Sequence, residues 1–141
     1  MTLGWTLVGS ADVSNRPVGW KVLQGFGGPF EFPAAEQHRF RQRHDFVRFF
    51  RTHLTGARLR LPLVDFTRYE VEVFTVGARS SAGYSLRVQR VYERRGKIVI
   101  VVNEHAPRLG SRASAALTFP FVAVRLTQRR EPVAIDWPQH P

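Results

Sequence analysis

Cysteine is absent from this 141-residue chain. That excludes disulfides, thiolate nucleophiles and cysteine-ligated metal centres, and it leaves the compartment open. No apolar run reaches the ~18 residues expected of a membrane-spanning helix. Met1–Ser10 has neither the basic nor the apolar part of a secretory signal, so the chain reads as cytosolic or as a mature form without its export signal. Lysine is nearly missing: all but Lys21 and Lys97 of the 21 basic residues are arginine. Acidic residues number only 11, giving a net charge of +10. So strong a preference for arginine fits the composition of a GC-rich genome. A basic surface still attracts polyanions and acidic proteins through its long-range field. Net charge by itself therefore points first to a solvated surface and only second to a nucleic-acid site.

What is present is enough for a core. Hydrophobic residues make up 43%, with 11 Phe and 3 Trp, which predicts one globular domain over residues 1–141. Residues 1–33 read as strands and turns, with strands at Trp5–Val8 and Gly19–Phe26 and with Trp20, Val22 and Leu23 inward. Residues 34–56 read as an amphipathic helix. Pro33 suits its first position and Glu36 its first turn, Phe40, Val47, Phe50 and Leu54 form one stripe, and Gly56 stands past the end.

Residues 63–137 read as β-structure. Tyr69–Val76 alternates, which puts Glu70 and Glu72 on a solvent face. Tyr84–Gln89 alternates too, and the pattern then slips at Arg90-Val91-Tyr92, as a bulge would make it. Arg94-Arg95-Gly96-Lys97 has hairpin-turn chemistry, with Gly96 able to take positive φ. Ile98–Val102 is an unbroken β-branched run, expected at the centre of the fold. Ala113–Thr118 reads as a short strand, Phe119-Pro120-Phe121 as a bend, and Val122–Leu126 and Val133–Trp137 as the last strands, with Pro138–Pro141 as a tail. The connections are short, so antiparallel pairing should dominate. The fold class is therefore α+β: a mainly antiparallel sheet, as a sandwich or open barrel, with one packed amphipathic helix.

Catalytic patterns are not found. His38, His44 and His53 fall six and nine residues apart, which does not place two imidazoles on one helix face, so no metal site is expected. There is no G-x-S-x-G elbow around any serine. Gly27-Gly28 is followed by Pro29 and Phe30 rather than by a phosphate-loop lysine. Asp65, before Phe66-Thr67, fits an Asx turn better than a catalytic role. No RNA-recognition, zinc-finger or helix-turn-helix pattern occurs. The expectation is no catalytic residue, no cofactor and no metal.

The order of motifs in the C-terminal half is informative. V-D-F-T-R-Y is followed by A-G-Y-S-L-R-V, then G-K-I-V-I-V-V-N-E, then L-T-F-P-F-V-A-V-R-L. With Asp65, Phe66, Gly77, Gly83, Tyr84, Ser85, Pro107, Thr118 and Pro120 in register, residues 63–136 resemble the C-terminal domain of the PrcB-type protease-complex subunit family. The match departs at the corner, where Ser81-Ala82-Gly83-Tyr84 stands for the family's Thr-Gly-Gly-Tyr. It departs again at Pro107-Arg108-Leu109-Gly110, where a Pro-Gly pair is usual. The resemblance implies a non-enzymatic accessory subunit, a subtilisin-like peptidase as protein partner, and an exported or envelope location.

A rigid β-scaffold presents loops, and loops carry recognition. The candidate partner-binding residues are accordingly Ser80, Ser81, Gly83 and Tyr84 in one loop and Arg108, Leu109 and Arg112 in another. Gly83 would permit a tight turn there, while Tyr84 fits a core position, its hydroxyl bonded to backbone, slightly better than an interface position. Nucleic acid remains the alternative partner, on charge alone.

Overall fold

A computed structural model describes residues 15–110 and 115–138. The expected strand at Trp5–Val8, the start of the one at Ala113–Thr118, Arg112 and most of the Pro138–Pro141 tail lie outside the described residues. The described chain forms eight strands and one helix: β1 (Arg16–Pro17), β2 (Trp20–Val22), β3 (Ala35–Phe40), α1 (Arg43–Thr52), β4 (Tyr69–Val76), β5 (Ser85–Arg94), β6 (Lys97–His105), β7 (Phe121–Thr127) and β8 (Val133–Asp136). They make two four-stranded sheets, ordered β1-β5-β6-β8 and β2-β7-β4-β3. The sheets face each other as a sandwich and are not closed into a barrel. All pairs are antiparallel except β6 with β8, where Ile98–Val101 run alongside Val133–Asp136. That parallel pair is made possible by the intervening passage of the chain through β7 in the other sheet.

The β2-β7-β4-β3 sheet is covered on both faces. Phe74, Val76, Val122, Val124 and Leu126 meet Val91, Ile98, Ile100 and Val102 of the opposite sheet. On the other face Val71, Val73 and Ala123 pack under Phe32, Phe40, Phe46 and Phe50. This second layer is almost entirely phenylalanine. Phe32 stacks on Phe49 with ring centroids 5.5 Å apart, and Phe46 meets Phe50 edge-on at 5.2 Å, the geometries that aromatic quadrupoles favour.

The expected helix over 34–56 is corrected. Its first part, Ala35–Phe40, is an edge strand paired residue for residue with Phe40↔Val71 through Ala35↔Val76. The segment A-E-Q-H-R-F satisfies both periods over so short a span, and the long partner β4 decides in favour of the ladder. Pro33 therefore precedes a strand. The helix is only ten residues, starts after Gln42 and ends at His53 rather than near Gly56. It buries Phe46 and Phe50, one turn apart, while Val47 is only half-buried.

Glu70 and Glu72 are a second correction. They are 0% and 1% exposed, because β4 is an inner strand with cover on both sides. The strand over Gly19–Phe26 shortens to β2, with Leu23 buried and Trp20 39% exposed. Tyr84 falls at the corner before β5 rather than inside a strand.

The bulge and the hairpin turn occur as read. The register shifts between Val88 and Arg90, and Arg95 (φ 52°) and Gly96 (φ 73°) form the β5–β6 turn. Two successive left-handed residues match the right-handed twist of the hairpin. β6 is an inner strand, with Ile98, Ile100 and Val102 at 0% exposure.

Candidate functional site

The two candidate loops emerge at the same end of the sandwich. β4 finishes where β7 begins, with Thr75 opposite Phe121, and β5 begins where β6 finishes, with Ser85 opposite His105. The β4–β5 loop (77–84) and the β6–β7 loop (106–120) are thereby neighbours.

They are also joined. Gly77, at φ 83° and buried, turns the chain out of β4 through a backbone conformation that side chains rarely adopt. Arg79 then exchanges two backbone hydrogen bonds with Thr118: Arg79 N–H donates to the Thr118 carbonyl at 2.8 Å, and Thr118 N–H donates back at 2.9 Å. Thr118 Oγ1 donates to the Ser81 carbonyl at 2.8 Å. The Arg79 guanidinium is the hub. It forks onto Glu104, with Nη2 to Oε1 at 2.9 Å, and donates to the carbonyls of Val76 and Ala78 at 3.0 and 2.9 Å. Its charge lies 5.9 Å from the Tyr84 ring centre and 6.0 Å from that of Trp137. The hydrogen bond to Glu104 holds the Arg79 pKa above its ordinary value.

Around this hub Ser80 is exposed, and Ser81, Gly83 and Tyr84 are half-buried. Tyr84 belongs to neither core cluster. Its ring lines a groove of about 350 Å³ with Ala82, Ser85, Leu86, Thr118, Phe119 and Phe121. Arg108 is exposed and Leu109 fully so, and Leu117, at 64% exposure, shares their loop. Sequence reasoning missed Arg79, Glu104 and Thr118. The signal was faint: Arg79 stands directly before the Ser80-Ser81 pair, but only the fold brings Glu104 to it from 25 residues away.

A second polar cluster lies inside the sandwich. Arg39 forks onto Glu70, with Nη2 to Oε1 at 2.9 Å, and also donates to the Arg129 and Glu131 carbonyls at 2.7 and 2.8 Å. Arg129 N–H donates to Glu70 Oε1 at 2.7 Å. Neither Glu72 oxygen has a hydrogen-bond partner, and burial pushes its carboxyl up to about 8. A raised carboxyl is the pattern of a general acid. Glu72 is sealed from solvent, however, so no substrate reaches it.

The other chemical candidates are scattered. His38 lies on β3 and bonds Glu36 at 2.7 Å, His44 contacts Arg48, and His53 Nδ1 lies 2.8 Å from the Phe49 carbonyl. Among the described residues no three His, Asp or Glu side chains gather as metal ligands. Asp65 accepts from the Thr67 N–H at 3.1 Å and from its hydroxyl, which lowers the carboxyl pKa and forms the Asx turn read from sequence. No helix among the described residues is long and apolar enough to cross a membrane.

Residues 71–127 match the family described as PrcB C-terminal. This segment belongs to that family. The PrcB C-terminal segment runs from β4 through β7, so it contains both joined loops and the Arg79 hub. No curated protein and no solved structure matches the chain.

Proposed function

We propose that this chain is a non-enzymatic accessory subunit that docks on a protein partner, a subtilisin-like peptidase, through the joined loops at one end of its sandwich. The family name speaks for a protease-related context. The observation that carries the reading is the Arg79–Thr118 junction, which stiffens two loops whose outer residues, Ser80, Tyr84, Arg108 and Leu109, stay wholly or partly accessible. Preorganised loops lose less conformational entropy on binding. A half-exposed tyrosine beside a fully exposed leucine is a fitting centre for such a contact.

The test is titration of the chain against a subtilisin-like peptidase from the same cells. The Tyr84→Ala and Leu109→Ser changes together should weaken the complex roughly tenfold or more, with the melting temperature nearly unchanged. Equal affinity would remove these loops from the interface.

A nucleic-acid reading draws on one specific observation. The outer face of the β1-β5-β6-β8 sheet carries Arg87, Arg90, Arg94 and Lys97. The Tyr92 ring there is capped by Arg90, 4.6 Å from its centre, and so is not a bare stacking platform. Salt-sensitive oligonucleotide binding would support this reading, and no gel shift at low salt would end it.

A further inference from the structure

Among the described residues the longest strand has one edge left largely unpaired. β5 is ten residues long and pairs with β6 along one side. On its other side, among the described residues, β1 reaches only Tyr92 and Glu93, with Val18 N–H adding one bond to the Val91 carbonyl. Among the described residues, Ser85–Arg90 therefore presents backbone donors and acceptors with no neighbouring strand, the usual template for strand addition. The other outer strands are poorer templates. β2 and β8 are three and four residues long, and β3 carries Glu36 and has its Gln37 and Arg39 side chains tied to the 129–133 segment.

Two further features define the occupant. The outer face along this edge is basic. Arg87 pairs across with Asn103 and Arg90 with Val101, and the bulge turns Gln89 to the same side, where its Oε1 accepts from Asn103 Nδ2 at 2.7 Å. The inner face of the same edge opens into the groove of about 350 Å³ floored by Leu86, Phe119 and Phe121. An added strand points alternate side chains to these two faces.

We infer that the free Ser85–Arg90 edge of β5 takes up an extended peptide of a partner protein in which acidic residues alternate with apolar ones. Its carboxylates meet Arg87 and Arg90, its apolar side chains enter the groove, and its backbone extends the sheet. The inference rests on the protein-binding reading and shares the groove beside Tyr84 with it, but the strand edge with Arg87 and Arg90 lies apart from the exposed Leu109.

The experiment is fluorescence anisotropy of the full chain with a labelled ten-residue peptide alternating glutamate and valine. Binding is expected, together with slower amide exchange over residues 85–90. A peptide of the same sequence N-methylated throughout should bind at least tenfold more weakly. The same loss is expected for Arg87→Glu combined with Arg90→Glu, both exposed changes that leave the fold intact. Leu109→Ser, which tests only the end-loop contact, should leave peptide affinity unchanged, so the two readings fail separately. No binding of the glutamate–valine peptide, or equal binding of the N-methylated form, would overturn the inference. So would sedimentation as a dimer whose β5 edge amides are already protected.

Discussion

Glu72 stands where a neutral residue would be expected, with both oxygens buried and its carboxyl pushed up from the ordinary 4.5 to about 8. Between those values the folded state holds a proton that the unfolded chain has released. Stability attributable to this group therefore falls as pH rises from about 4.5 to 8, then levels off. The full swing is on the order of 5 kcal/mol. Glu72→Gln should match the wild type in urea denaturation near pH 5 and exceed it near pH 8.5; parallel pH profiles for the two proteins would mean that Glu72 is not protonated inside. Arg79 supports a second prediction at this scale. It is about one-fifth exposed, so its pair with Glu104 is partly screened. Arg79→Met should cost about 1–2 kcal/mol overall. Its larger effect should be local, as faster amide exchange over 77–84 and 106–120 with the β6 core unchanged.

At the scale of elements, α1 is held by its burial and not by its ends. Its N-cap Gln42 makes no side-chain capping bond. Phe46 and Phe50 are both 0% exposed. Phe50→Ala should cost about 3–5 kcal/mol in chemical denaturation, with loss of aromatic near-ultraviolet dichroism from the phenylalanine layer. The β5–β6 turn makes the opposite prediction. Arg95 occupies a left-handed conformation that asparagine tolerates better. Arg95→Asn should stabilise the hairpin by roughly 0.5–1 kcal/mol, read as a rise in melting temperature.

For the whole molecule, both cores draw on residues outside the PrcB C-terminal segment. Residues 71–127 include Val71, Val73 and Ala123, but their cover comes from Phe32, Phe40, Phe46 and Phe50. They also lack Val133 and Ile135 of β8, which pack against the inter-sheet core. A fragment spanning 71–127 is expected to show no cooperative thermal transition, whereas the full chain should unfold in one. A folded, cooperatively melting fragment would show that the helix layer is dispensable.

Local signals were enough for some of this. The left-handed turn at Arg95-Gly96 needs chemistry that two residues supply, the bulge at Gln89 shows as a slip in alternation, and the β-branched run of Ile98–Val102 demands an inner strand. The ordered motifs from β4 to β7 carried the family resemblance in the same way, being contiguous. Other features depend on partners distant in sequence. Ala35–Phe40 fits helix and strand alike, and only the ladder along β4 makes it a strand. Glu70 and Glu72 alternate as solvent-facing residues do, yet Arg39 and the crossing 129–131 segment enclose Glu70, and Glu72 is buried on an inner strand between β3 and β7. The Arg79 hub takes Glu104 and Thr118 from 25 and 39 positions away, and among the described residues β1 pairs with only two residues of β5. Periodicity and turn chemistry act over a few residues and so are written in the sequence. Burial and ion pairing belong to chain segments that meet only once the sheets have formed.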